Sequence, residues 1–535
     1  MVKIYLLGAI CIVSYINVQA QYWTQDAKLI AQDRTELADF GSSVSISGNF
    51  AVVGSKDDGE GIQSGLTIEK AGSAYIFEKD SLTGEWNQIQ KLIASDRNEL
   101  DLFGISVSIH DDLIVIGSRS ADYDAQGQNF MSDAGAAYIF EQDNTGTWVQ
   151  NKKIVASDRT AGDFFGRSVS CHNEQIIIGA LYADTDQNGG NYKLNSGAAY
   201  IFEMDSTGEW MEGQKIVTAD RDWEDYFGHA VDIYDDYLLI GALGENHTND
   251  SSIDMSNAGA IYAFEKNSSG MWIEQQKVVA TDHAINNQFG NSVALNENVA
   301  IVGSYNHQYS NLPQGAAYIL MRDSTGLWTE HQQLVPADIA ADDKFGWDVD
   351  IADDIIIVSS ILHGQNESGD NFLSKSGAVY LFEKNETDIW EQVKKLTPID
   401  RADNDQFGNA IAIDGENIIV SANFEDHDIL GDYFLFNSGS AYIFHISNDT
   451  GIEETSEHTI KYFPNPSNGV VSFQMENHDF SWFRLTNSIG QIIIEKNVPQ
   501  TNEFTINIKN HPPGLYFASF QNEKGEILNL KLMVQ

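Results

Sequence analysis

Phe40-Gly41-Ser42-Ser43-Val44-Ser45-Ile46 decides how this chain is read, because it returns six more times. The Phe-Gly pair stands at Phe40, Phe103, Phe165, Phe227, Phe289, Phe345 and Phe407, with gaps by subtraction of 63, 62, 62, 62, 56 and 62 residues. So regular a period means one supersecondary unit, repeated, whose copies bury their faces on each other.

Outward from the first pair, Phe40 to Ile46 alternates as a strand should, and Ser47-Gly48-Asn49 is a turn. Phe50 to Gly54 is an apolar second strand. A polar loop leads to a third, Gly72-Ser73-Ala74-Tyr75-Ile76-Phe77-Glu78, and a turn over Asp80 to Gly84 leads to a fourth, Trp86 to Ile93. Four antiparallel strands per repeat, with no helical periodicity, predict an all-β fold, a seven-bladed β-propeller. The seventh unit lacks a tryptophan strand after Tyr442-Ile443-Phe444. At the other end Trp23 precedes Lys28 by the same five residues as Trp86 precedes Lys91. The N-terminal strand is therefore expected to complete the last blade and remove a free sheet edge.

The chain carries 31 Lys and Arg against 78 Asp and Glu, a net charge of −47. That field repels nucleic acid and anionic membrane, and suits a soluble extracellular protein or one that meets cations. Lys3, the apolar run Ile4 to Ile16 and Val18-Gln19-Ala20 read as a signal peptide over residues 1–20. No later segment is apolar enough to cross a membrane. Cys171 alone remains after cleavage, so no intrachain disulfide forms. It aligns with Ile46 and Ile109 and reads as a buried small hydrophobe.

Phe-Gly-x-Ser-Val, then Ile-Ile-Ile-Gly-Ala, then Ser-Gly-Ala-Ala-Tyr-Ile-Phe resembles the FG-GAP repeat of bacterial secreted proteins, a relative of the integrin α-subunit propeller. The resemblance covers residues 21–452. The integrin calcium loop between first and second strands has no counterpart in tight turns such as His110-Asp111-Asp112, so calcium is not carried over there. After a polar linker, 453–461, residues 462–535 hold Pro464-Asn465-Pro466, Gly469, Gly490, Gly514 and Tyr516. They look like a type A sorting domain of the type IX secretion system. The resemblance implies handling by that machinery, then release or display on the outer surface of a Gram-negative bacterium. Turn residues and alternation predict a small antiparallel sandwich there.

Chemistry is sought where the repetition breaks. An aspartate stands seven residues before each Phe (Asp33, Asp96, Asp158, Asp220, Asp282, Asp338, Asp400), and an acid or amide often two before it; both read as acceptors for turn amides. Asp184-Thr185-Asp186-Gln187-Asn188-Gly189 opens like an EF-hand loop, so Asp184, Asp186 and Asn188 are either a calcium site or an ordinary loop. His247, His307, His363 and His427 fall in equivalent loops and are either metal ligands or solvated. Asp348, Asp350 and Asp232 replace small residues on the inner strand; they either hold a cation or line a hydrated channel. Trp223 and Trp347 are off-pattern aromatics able to stack on a sugar. The expected function is a monomeric propeller that binds an extracellular protein or glycan. The alternative is a polysaccharide hydrolase or lyase on the same scaffold, although no catalytic signature stands out.

Overall fold

The computed structural model is all-β. It describes residues 22–61, 67–247, 255–309, 312–429, 431, 433–447, 460–463, 469–475, 480–487, 492–498, 503–509, 511–512, 514–522 and 527–534. The signal-peptide residues lie outside these.

Tyr22–Ser447 forms one compact unit. The third blade shows its plan: antiparallel strands Phe165–His172, Gln175–Ala180, Ala198–Met204 and Trp210–Ile216, side by side in chain order. The second and third strands are buried throughout most of their length, so Ile176-Ile177-Ile178 reads as a continuous apolar run. The inner strand alternates, with Phe165 and Cys171 buried and Ser168 half-buried. Five other sheets repeat this order, and in the seventh the outer place is taken by Tyr22–Leu29 beside Ser440–Ser447.

Each hydrophobic cluster is shared by two neighbouring blades. Phe227 and Ile240 of the fourth pack with Ile177 and Ile201 of the third. Phe40 and Val44 of the first pack with Ile419 and Ile443 of the seventh. The Phe-Gly and Ser-Gly-Ala motifs meet at these seams. Gly197, at φ +84°, forms a parallel bridge to Phe227, and a Cβ on it would stand 2.0 Å from the Phe227 carbonyl oxygen. Gly228, at φ +85°, would bring a Cβ to 2.4 Å from Ala198 O. Only glycine permits both the left-handed conformation and this approach of one backbone to the next. The two glycines therefore recur together because one seam needs both.

Strand Tyr22–Leu29 pairs antiparallel with Ser440–Ser447, aligning Lys28 with Tyr442 and Trp23 with Ile446. Lys91 aligns with Tyr75, and Trp86 with Lys79, in the same register.

Residues 460–534 build separate antiparallel sheets. Val470–Met475 lies between Ile460–Phe463 and Glu503–Asn507, and a second sheet runs Ile492–Asn497, Phe480–Asn487, Gly514–Asn522, Ile527–Val534. Phe473, Phe483, Phe504 and Phe520 fill the core between the sheets.

Candidate functional site

The repeated spacing of Tyr, Lys and Asp resolves into one half-buried cluster per blade, with Gln333 in place of lysine in the fifth. In the third, Asp158 accepts from Tyr200 Oη at 2.8 Å and from Lys215 Nζ at 2.6 Å. In the second, Asp96 does the same with Tyr138 at 2.9 Å and Lys153 at 2.7 Å. The seven aspartates thus serve side-chain donors, where turn amides were expected. The reason is that the loop before each Phe folds back over its own blade, beneath which Tyr and Lys project. The acids two residues before Phe do take the turn amides: Asp101 accepts from Asn98 N and Asp343 from Ala340 N, both at 2.7 Å. Burial pushes the phenols of Tyr138, Tyr262 and Tyr442 far up, which keeps them donors.

A fourth member varies. In the fourth blade Glu245 joins, 3.1 Å from Lys277 and 2.8 Å from Tyr262 Oη. In the seventh, Glu425 stands 3.0 Å from Lys28. His307 and His363 occupy this same place in the fifth and sixth blades. His307 Nδ1 lies 3.0 Å from Tyr318 Oη, and His363 Nδ1 lies 2.9 Å from Asp343. His247 and His427 stand two residues further on, against Glu245 and Glu425. The four imidazoles therefore belong to four separate blade interiors and loops. Among the described residues no three His, Cys, Asp or Glu gather as metal ligands would.

Asp184 accepts from Asn195 N at 2.7 Å, and Asp186 from Asn188 N and Gly190 N at 2.9 and 3.0 Å. The second blade braces its loop alike: Asp122 accepts from Asp133 N at 2.9 Å and Asp124 from Gln126 N at 3.0 Å. Asn188 offers its amide to the turn.

The inner strands of all seven blades enclose an axial channel of about 560 Å³. Asp348 and Asp350 line it together with Asp232 and Trp347, while Trp223 is 53% exposed and lies outside it. The three carboxylates hold neighbouring strands. Asp232 accepts from Leu295 N at 2.8 Å, Asp348 from Ile411 N at 2.9 Å and Asp350 from Ile413 N at 2.8 Å, each in the next blade. Serine does this elsewhere: Ser45 Oγ accepts from Ile109 N at 3.1 Å and Ser292 Oγ from Val349 N at 3.2 Å. Enclosure by the ring raises Asp350 well above the usual carboxylate range, and pushes Asp232 up to about 6.

At one mouth of this channel a hydrogen-bonded rim passes from blade to blade. Asn291 Nδ2 donates to Trp347 O at 2.7 Å, Trp347 Nε1 to Asn409 O at 3.1 Å, and Asn409 Nδ2 to Gly41 O at 3.1 Å. The Trp347 ring meets Tyr305 edge-on, centroids 5.1 Å apart. The long second-to-third loops rise on this same side, since the start of each inner strand pairs with the end of the second, as Phe165 with Ala180.

Those loops carry a feature that sequence reasoning missed. Phe130, Tyr192, Phe372 and Phe434 are 57–68% exposed, and each stands nine residues after the variable cluster position of its blade (121, 183, 363, 425). The signal was present, but it appears only when loops are aligned on that position. Two of them are partly covered by a ring of their own loop: Phe130 meets Tyr123 and Phe434 meets His427 edge-on, centroids 5.6 Å apart in both.

A profile of the FG-GAP repeat matches residues 23–77, 86–140, 148–202, 210–264, 272–320, 328–382 and 390–444. The chain belongs to the FG-GAP repeat family. Each matched segment begins at an outer-strand tryptophan and ends in the next blade's third strand, so the first match includes Trp23. A profile described as a secretion system C-terminal sorting domain matches residues 461–535. This FG-GAP protein is therefore handled by the type IX secretion machinery and delivered to the cell surface or extracellular space. Within that domain Gly469, at φ +92°, leaves 2.7 Å between a built Cβ and Lys509 Cα. Gly514 opens a strand, and buried Tyr516 donates to Pro512 O at 2.6 Å. Pro464, Asn465, Pro466 and Gly490 lie outside the described residues.

No curated protein matches the sequence. Among solved structures, a Lactobacillus plantarum protein is 12% identical at TM-score 0.41, covering 72% of this chain and 95% of its own. A Bacteroides fragilis protein provisionally described as a 6-phosphogluconolactonase is 14% identical at TM-score 0.42, covering 68% and 90%. Nothing about activity is read from likeness of that order.

Proposed function

We propose that this secreted or surface-displayed propeller is a glycan-binding module that works through its long-loop face. The repeated exposed ring supports this: Phe130, Tyr192, Phe372 and Phe434 share one loop place, and Tyr433 and Phe436 are exposed beside Phe434. A protein-binding hot spot gathers aromatics into one central, desolvated patch. Single rings at repeated places, set among Asp- and Asn-rich loops, suit a ligand that itself repeats, each ring offering a flat apolar face to one sugar. Trp223, also exposed, belongs to the same set. A catalytic reading draws no support from the axial carboxylates, whose oxygens are taken by backbone amides of the next blade.

A glycan array with the secreted protein tests the reading. Binding is expected, and Phe130→Ala with Phe372→Ala should weaken it about tenfold or more while leaving the melting temperature unchanged. Retained affinity in that double variant would refute the aromatic face. Capture of a protein ligand with no glycan bound would replace this reading, and turnover of a bound polysaccharide would make the module an enzyme.

A further inference from the structure

Two neighbouring arginines, Arg167 lining the channel and Arg119 close to it, differ from every other described arginine. Arg159 and Arg221 donate to loop carbonyls of the preceding blade, Arg401 likewise, and Arg322 pairs with Glu265. Arg167 faces the channel two residues past Phe165. Arg119 stands in the second blade's loop, its guanidinium 5.2 Å over the Phe164 ring. Neither forms an ion pair or hydrogen bond with another described residue. The neighbouring cation of the mouth, Lys56, is neutralised by Asp39.

The two guanidiniums repel each other, and burial with that repulsion brings Arg167 down to about 10. His229 of the next blade faces Arg167 and is held neutral, pushed down to about 3 by burial and by that cation. Its Nδ1 is buried with no partner. Unpaired like charges in an enclosed mouth are unfavourable, and an arriving anion relieves that cost. Opposite the arginines stand Trp347 and Tyr305; the Trp347 indole is fixed by its bond to Asn409 O, so its ring is held in place.

We propose that the channel mouth is an oxyanion subsite for an acidic sugar: Arg119 and Arg167 take its carboxylate or sulfate ester, and Trp347 with Tyr305 packs the sugar ring. The proposal rests on the glycan reading of the same face and names the class of sugar.

The test uses the secreted protein with three probes: sodium sulfate against sodium chloride at equal ionic strength, a digalacturonic acid, and its neutral methyl ester. Sulfate is expected to raise the melting temperature where chloride does not. The acid should bind about tenfold or more tighter than the ester, as charge-assisted bonds require. Arg167→Gln should abolish both differences without lowering the melting temperature, since it removes an unpaired charge. Should that variant fold poorly, Arg119→Gln carries the same expectation. Equal affinity for acid and ester, or sulfate stabilisation that persists in both variants, would overturn the subsite. Stabilisation by sulfate with no preference for the acid would mean an adventitious ion only, and also overturns it. Neutral glycan binding that is lost in Phe130→Ala but shows no charge preference would leave the face standing and sink this inference alone.

Discussion

Asp348 and Arg167 are both charged residues that interrupt the inner-strand pattern, and both face the same channel. Their surroundings are opposite. Asp348 accepts from Ser292 Oγ at 2.7 Å on one side and from Ile411 N on the other, so it stitches the fifth, sixth and seventh blades together. Arg167 has no acceptor among the described residues. A departure from a repeat therefore does not by itself mark a functional site. Whether the neighbouring copies satisfy the new group is what separates a seam from a site.

If satisfied groups hold the ring, emptying one should cost most where most partners are left behind. The N-terminal strand is the extreme case. Removing residues 22–31 takes away Lys28, leaving buried Glu425 and its neighbour Asp400 without their cation, and bares the edge of Ser440–Ser447. Breaking one buried ion pair costs about 3–5 kcal/mol, and an unpaired strand edge adds to that. We infer that this strand closes the ring. The truncated protein should lose its single cooperative melting transition or melt at least about 10 °C lower. An unchanged calorimetric trace would show that the pairing contributes nothing to closure.

A smaller effect sharpens the comparison within one position. Asp348→Ala leaves the Ile411 amide and the Ser292 hydroxyl without a partner, at about 1–3 kcal/mol. Asp348→Ser should cost less than about 1 kcal/mol, since Ser292 holds the corresponding amide of the next blade from the equivalent position. Denaturant unfolding of the two variants decides it: equal losses would mean that the carboxylate does something serine cannot, and the cation reading of the channel would return.

How much of this could be read from the residues follows the same division. The blades were legible because one register repeats: Phe-Gly and the glycine opening the third strand meet at every seam, and the spacing Trp23 to Lys28 repeats that of Trp86 to Lys91. The satisfaction of the off-pattern groups was not legible. The partners of Asp348 and Asp350 lie 63 residues on, in the next blade, where no local spacing points to them. His307 and His247 looked equivalent because both fall in long loops, yet one stands two alignment positions from the other, and only the cluster around Tyr318 or Tyr262 shows it. The exposed rings stayed hidden because only four of the seven blades carry one: Thr67, Asp254 and Ala316 stand at the shared place in the first, fourth and fifth.

The mildest expected effect concerns groups satisfied in one protonation state only. Burial pushes Asp101, Asp225 and Asp405 up to about 7 and Asp163 up to about 6, although each accepts a turn amide. In the unfolded chain these carboxyls titrate near about 4. A folded-state value above the unfolded one means that folding favours the proton. The stabilisation is complete below about pH 4 and is lost as the pH climbs to 7. Asp158 and Asp338, lowered by their bonds to Lys215 and Lys395, work the other way and lose their contribution as the solution turns more acidic. The propeller should therefore be most stable near about pH 5, and its melting temperature should decline from there to pH 8. The fifth blade shows how to remove that decline, since Asn287 stands where five other blades carry aspartate. Replacing Asp101, Asp225 and Asp405 with asparagine should flatten the slope between pH 5 and 8. A slope that survives the triple replacement would assign it to the other raised carboxyls, Asp163, Asp232 and Asp350, or to the overall charge of −47, which also grows more costly as carboxylates ionise.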